Sequence, residues 1–198
     1  MFVHINIHFG VGIIVASVFN HLLELNFLEF FLVVVFSFIC DFDILFSNYA
    51  LDSNHRMLIS HSILPSIIIT VLGVIFNWII LIIGGLSYSL HVIIDTFDWG
   101  TNFFYFKKKQ VGLKLLITKE EFANISMHLS QYKKPGSFFD KKYYGNKGII
   151  LTEVIIFISM IMLISIFAFR YFLLIVIYFI FLGFHLHRHF KLKQIESD

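Results

Sequence analysis

The chain has 198 residues, of which 58% are hydrophobic and only 14% are charged, with a mean hydropathy of +0.84. With so little polar surface and a single cysteine, the composition excludes a disordered chain, a disulfide scaffold and a soluble globule. A formal net charge of +2 is too small to indicate a nucleic-acid partner. The composition therefore predicts an integral membrane protein with several spans.

The first two apolar stretches predict a tight helical hairpin. Residues 9–23 and 27–40 are each short for a full span, which takes about 20 residues in an ordinary bilayer. The intervening residues 24–26 are polar or acidic around one leucine and mark the predicted turn. After residue 40 the chain is polar to about His61.

The third apolar stretch, residues 62–94, is too long for one span. Gly84 and Gly85 lie inside it, and glycine permits a tight turn. The sequence therefore predicts a second hairpin, with one arm over 62–82 and a shorter return arm over 86–97.

The last apolar stretch, 149–184, predicts a third hairpin with Arg170 near its turn. Every Lys and Arg except Arg170 then falls on one membrane face, which the positive-inside rule makes cytoplasmic. The predicted fold is an all-α membrane protein, a bundle of about five to six transmembrane or re-entrant helices arranged as hairpins. The organisation is a metal-site membrane domain over 1–97, a basic cytoplasmic loop or cap over 98–148, and a C-terminal hairpin with a basic tail over 149–198.

Acidic and imidazole side chains gather at the predicted span ends. Asp41 and Asp43 form an Asp-x-Asp pair that suits a divalent cation, although a solvated helix end gives the same pattern. His91 and Asp95 are four residues apart and share one helix face. They predict either shared metal ligation or a buried hydrogen-bonded pair.

The polar loop adds three further candidates. His55 and His61 are six residues apart, so only a bent loop brings the two imidazoles together; the alternative is two separate interfacial histidines. Arg56 is suited to clamp an anionic group such as phosphate, or it is a plain juxtamembrane charge.

The hairpin layout places three carboxylates and four imidazoles on one membrane face. That number suits two metal ions better than one, and the mixed set favours zinc, with manganese and iron as alternatives. The predicted ligands are His8, Asp41, Asp43, His55, His61, His91 and Asp95.

The order of these motifs resembles that of the LexA-regulated, membrane-bound, metal-dependent hydrolases, over roughly residues 4–105. That family carries an N-terminal His, then D-x-D-H and H-R-G-x-T-H-S. A segment similar to G-x-x-x-H-x-x-x-D-x-x-T-x-x-G follows. The resemblance implies a metal site and hydrolase activity for this chain. The matching positions here are His8, Asp41-Phe42-Asp43, His55-Arg56, His61-Ser62, Gly85, His91, Asp95, Thr96 and Gly100.

The sequence also departs from the family pattern. Ile44 stands where the family often has His after D-x-D. The segment from His55 to His61 is one residue longer, lacks the glycine, and has Ser60 where the threonine would be.

Together these features predict a hydrolase that binds one or two divalent metals at the cytoplasmic face. The expected substrate is lipid-like or a small-molecule ester, most simply a phosphoester of a membrane lipid. Asp41 or Asp43 would act as general base, and Arg56 would steady the developing phosphate charge. The alternative is a metal or proton transport or binding protein, which the few polar residues inside the predicted spans make less consistent.

Overall fold

The computed structural model describes residues 5–106 and 109–198 and is helical without strands over those residues. Four helices are long and apolar enough to cross a membrane. The number is five if the helices Phe27–Phe36 and Ile39–Tyr49, which meet at a bend, count as one span. The predicted all-α membrane bundle is confirmed. Lys107 and Lys108, from the basic segment 98–148, lie outside the described residues.

The described α-helices are α1 (Ile5–Leu23), α2 (Phe27–Phe36), α3 (Leu64–Ile75), α4 (Ile79–Asp98), α5 (Lys119–Ala123), α6 (Ile125–Leu129), α7 (Pro135–Gly145), α8 (Lys147–Phe167) and α9 (Ile175–Ser197). Short 3-10 helices fill the connections at Ile39–Tyr49, Leu51–Ser53, His55–Met57, Ile59–His61 and Phe169–Leu174. Helix α1 is the most enclosed of the four long spans, and its apolar side chains meet those of α2, α4, α8 and α9 in one core.

The first hairpin turns where the sequence predicts. Helix α1 ends at Leu23, and Glu24 adopts a left-handed backbone with φ of 52°. Asn26 then caps α2, accepting a hydrogen bond from the Glu29 backbone N–H, while the Glu29 carboxylate accepts one from the Asn26 backbone N–H. This reciprocal capping box fixes the start of α2.

The predicted turn at Gly84-Gly85 is wrong, because α4 runs through both glycines as an unbroken helix. The chain reverses earlier, between α3 and α4, where Asn77 has a φ of 50°. The glycines serve packing instead: a Cβ on Gly84 would collide with the Phe36 ring, and one on Gly85 would lie 2.9 Å from the Ser66 carbonyl oxygen.

The close approach at Gly85 gives a stability prediction. Gly85→Ala is expected to destabilise the protein by about 1–3 kcal/mol, since the added methyl has no room between α3 and α4. Gly183→Ala in α9 is the matched control: among the described residues outside its own helix backbone, no atom lies within 4 Å of the added Cβ, so it should be neutral or stabilising. Thermal unfolding in detergent measures both, and equal shifts would contradict the packing role.

The third hairpin also turns as predicted, with Arg170 in the 3-10 helix between α8 and α9. The Arg170 guanidinium donates to the Leu25 carbonyl and to Asn20 Oδ1, at 3.2 Å for the latter. These bonds join the turns of the first and third hairpins at one rim of the bundle.

Part of the segment between α4 and α8 forms a packed cap at the other rim. Leu116, Ile117, Phe138 and Tyr143 are buried together with Trp99. The cap is tied to α8, because the Tyr143 hydroxyl donates to Glu153 Oε2 at 2.7 Å. The cap covers the end of the bundle at which α4 ends and α8 begins.

Candidate metal centre

Four separate parts of the chain bring ionisable side chains to the cap end of the bundle. His8 comes from the second turn of α1, and Asp41 from the 3-10 helix that follows α2. His61 ends the bent loop, while His91 and Asp95 lie in the last turns of α4. These five side chains are called the central cluster below.

The bent loop is held in place by the residues that follow α4. The Thr101 hydroxyl donates to the His61 carbonyl at 2.5 Å, and the Asn102 backbone N–H donates to the Arg56 carbonyl at 3.0 Å. The Ile63 backbone N–H donates to the Phe103 carbonyl at 3.0 Å. The loop therefore has a fixed position relative to α4, as a ligand loop requires.

Asp95 lies in the middle of the central cluster. Its Oδ2 is 3.3 Å from His61 Nε2 and 3.6 Å from His91 Nε2. Its Oδ1 is 3.3 Å from His8 Nε2. Asp41 Oδ1 completes the group, at 3.7 Å from His91 Nε2 and 3.9 Å from His61 Nε2.

The central cluster is buried, and its inward atoms lack hydrogen bonds. His8, His61, His91 and Asp95 are at most 2% exposed. Within the described part of the chain, no hydrogen-bond partner exists for Nε2 of His61 and His91 or for Oδ2 of Asp41 and Asp95. Leaving such atoms unpaired costs about 1–3 kcal/mol each, a cost that a bound ion would offset.

The spacing fits a metal ion. Ligand atoms bonded to zinc at about 2.0–2.1 Å lie about 3.3 Å from one another in a tetrahedron. The five imidazole–carboxylate separations given above run from 3.3 to 3.9 Å. Imidazole nitrogen and carboxylate oxygen together suit zinc, manganese or iron.

Outer hydrogen bonds orient two of the imidazoles toward the centre. His61 Nδ1 lies 2.6 Å from Asp43 Oδ2, and His91 Nδ1 lies 2.7 Å from the Ser37 carbonyl oxygen. Each contact favours a proton on Nδ1, which leaves Nε2 with a free lone pair facing inward. Ligating histidines are held in this way in metal proteins.

The other two predicted ligands lie one layer further out. Asp43 contacts His61 and accepts a hydrogen bond from the Ser60 hydroxyl, and His55 Nδ1 is 3.0 Å from Asp43 Oδ1. Asp43, His55 and His61 also offer ligand atoms within 4.8 Å of one another, so they form a second group that could hold an ion.

Arg56 is paired with carboxylates. Its guanidinium contacts both oxygens of Asp98, at 2.7 and 3.1 Å, and lies 3.2 Å from Asp95 Oδ1. Burial would lower the pKa of Arg56, but Asp95 and Asp98 outweigh burial and raise it. Arg56 thus offsets part of the negative charge of Asp95 and Asp98. Both terminal nitrogens of its guanidinium already contact these carboxylates.

Sequence reasoning gave no role to Asp98 and Ser37. Asp98 is three residues after Asp95, so the helical repeat could have placed it on the same face. The Ser37 carbonyl is a backbone group and leaves no signal in residue identity. Cys40 is buried, and its sulfur groups with ligand atoms of His61 and His91 within 4.8 Å.

The metal-free protein should show a characteristic pH dependence. Burial disfavours a charged His61, but Asp43 and Asp95 outweigh burial and raise its pKa from 6.5 to about 9. Protonated His61 therefore stabilises the metal-free fold fully below about pH 6.5, and this contribution is lost as the pH rises through about 9.

A bound metal would displace that proton, so the metal-loaded protein should not lose stability across the same window. Melting temperatures of both forms between pH 6.5 and 9 measure the difference. Parallel curves for the two forms would contradict this assignment of the proton.

Comparisons of the chain with protein family models, with curated proteins and with solved structures found no match.

Proposed function

We propose that this chain is a membrane-bound, metal-dependent hydrolase acting on an ester of a membrane lipid, with zinc as the favoured metal and manganese or iron as alternatives. One observation carries the proposal: buried imidazole and carboxylate atoms face one another at ligand spacing without hydrogen-bond partners among the described residues. The order of the motifs, which resembles the LexA-regulated, membrane-bound hydrolases, supports the same activity.

A bound divalent metal would lower the pKa of a coordinated water toward neutrality and so supply a nucleophile. The residues of the chain divide the remaining tasks. His61 and His91 offer Nε2 as ligand atoms, and Asp43 keeps the His61 ring in orientation. Arg56 offsets part of the negative charge of Asp95 and Asp98, which its guanidinium contacts.

Asp41 is the best placed general base. Its side chain is 13% exposed, whereas that of Asp95 is 1% exposed. It is the more exposed of the two carboxylates of the central cluster, and it lies beside both His61 and His91. Asp41 would accept the proton that the attacking water loses.

The basic side chains support a cytoplasmic position for this face. The cap and the tail of α9 carry most of the Lys and Arg residues, while Arg170 lies at the opposite rim. The positive-inside rule then orients the metal centre toward the cytoplasm.

One observation favours a second candidate, a metal transport or binding protein without hydrolytic activity. The central cluster is enclosed, and catalytic metals usually keep an open position. Against transport, the core beyond the cluster is apolar where α1, α2 and α4 meet, with Ile13, Val33 and Ile83 buried there.

The test uses the full chain in nanodiscs, loaded with zinc, manganese or iron and supplied with lipid phosphoesters. We expect release of the headgroup or of phosphate by the wild type. Asp41→Asn should retain metal while losing most of this activity. A metal-loaded wild type that releases neither product would reject the hydrolase, and metal uptake into sealed proteoliposomes would then support the second candidate.

A further inference from the structure

A cleft of about 580 Å³ lies between the bent loop and the cap. This volume is in the range of about 300–1,000 Å³ typical of small-molecule sites. On the cap side its wall is apolar, with Phe122, Ile125, Leu129 and Phe139. Such a wall suits a hydrocarbon chain.

The inner end of the cleft adjoins the metal centre. His55 and Arg56 both line the cleft. His55 contacts Asp43, and Arg56 contacts Asp95. A molecule in the cleft would therefore lie one layer of side chains from the central cluster.

Two lysines stand beside the cleft without acidic partners. Lys109 lines the cleft, and the Lys114 ammonium lies 3.4 Å from the centre of the Phe122 ring. Neither forms an ion pair within residues 5–106 and 109–198. Two unpaired cations beside an apolar wall complement an amphiphile with a negative headgroup.

Large apolar side chains in the segments that line the cleft are exposed. Leu45 is 71% exposed, Tyr49 85% and Phe106 77%. Leu51, also exposed, lines the cleft itself. Exposed apolar and aromatic groups are typical of the membrane interface, which supports a cleft that opens at the bilayer.

We infer that this cleft binds an anionic phospholipid from the bilayer, with an acyl chain against the cap wall and the headgroup beside Lys109 and Lys114. The inference rests on the proposed function, because it names the substrate class of that site. Binding itself uses the cleft and needs no metal, so it can be tested separately from hydrolysis.

Trp99 provides the probe, because it lines the cleft and the chain has only one other tryptophan, Trp78. Trp78 lies just before the start of α4, about 18 Å or more along that helix from His91. The Trp78→Phe variant, purified without metal, is placed in phosphatidylcholine nanodiscs. Brominated-acyl phosphatidylglycerol or brominated-acyl phosphatidylcholine is then added as the quencher of Trp99 fluorescence.

We expect brominated phosphatidylglycerol to quench Trp99 at lower mole fraction than brominated phosphatidylcholine. Lys109→Glu and Lys114→Glu should each reduce that preference at least about fivefold, because each loses the attraction of one lysine to an anionic surface and adds a repulsive charge. Lys193→Glu, an exposed site on the tail of α9, is the matched charge control and should leave the preference unchanged.

Equal quenching by the two lipids would overturn the inference, as would a preference that Lys193→Glu reduces as strongly as the cleft variants do. Inorganic phosphate that changes Trp99 emission while brominated lipid does not would identify a soluble anion as the occupant and also overturn it. Lipid-selective quenching in a protein that hydrolyses nothing would uphold the cleft and reject only the proposed function.

Discussion

The Asp41→Ala, His91→Ala double variant is expected to lose its bound metal after purification in detergent, whereas the wild type should retain a near-stoichiometric amount of zinc, manganese or iron. Both residues offer buried atoms that face the other ligands, with Asp41 Oδ1 3.7 Å from His91 Nε2. Removing them takes away two of the five donors of the central cluster, which should weaken binding enough for the ion to be lost during purification. Elemental analysis of the purified protein measures the result.

The outer residue Asp43 should give a graded effect in the same assay. Asp43→Asn keeps the side chain size but weakens its contact with His61 Nδ1, which should cost about 10–100-fold in metal affinity. His187→Ala with Asp198→Ala, two exposed positions in α9 and the tail, is the control for the double change. Metal retained in full by the Asp41, His91 variant would show that the ligands are assigned wrongly.

Replacement of Arg56 by Met is expected to destabilise the protein by about 3–5 kcal/mol, because it removes the positive charge that contacts two buried carboxylates. The guanidinium is the cation in contact with both Asp95 and Asp98, and all three side chains are buried. Thermal or denaturant unfolding of the metal-free protein in detergent measures the loss.

Two further variants test the origin of that loss. Adding Asp98→Asn to Arg56→Met should recover part of the stability, since one uncompensated charge is removed. Lys193→Met, a loss of one exposed positive charge, should change stability by about 0.5 kcal/mol or less. If the double variant is less stable than Arg56→Met alone, the electrostatic explanation fails.

The membrane class and two of the three hairpin turns could be predicted because they depend on local signals. The turn at residues 24–26 is polar between apolar stretches, and Arg170 interrupts the last one. The turn between α3 and α4 could not be predicted in this way. A glycine pair has the same identity whether it bends the chain or lets Phe36 and α3 approach a straight helix.

The candidate ligands were predictable as a set, but their layers were not. His91 and Asp95 share a helix face at a spacing that the sequence shows directly. Which side of the His61 ring faces inward depends on the contact with Asp43, and that contact spans 18 residues of irregular chain. The pairing of Arg56 with Asp98 is likewise tertiary and joins residues 42 apart.

The enclosure of the central cluster has a kinetic consequence. Because His8 lies on the most enclosed helix and its ring stacks on His91 at 3.6 Å, we expect that an ion held there would leave when α1 or the bent loop separates from α4. Chelators would then strip the protein at the rate of this local opening, independently of chelator strength. Apo-protein is best obtained by growing cells in metal-depleted medium, before the helices close around the ion.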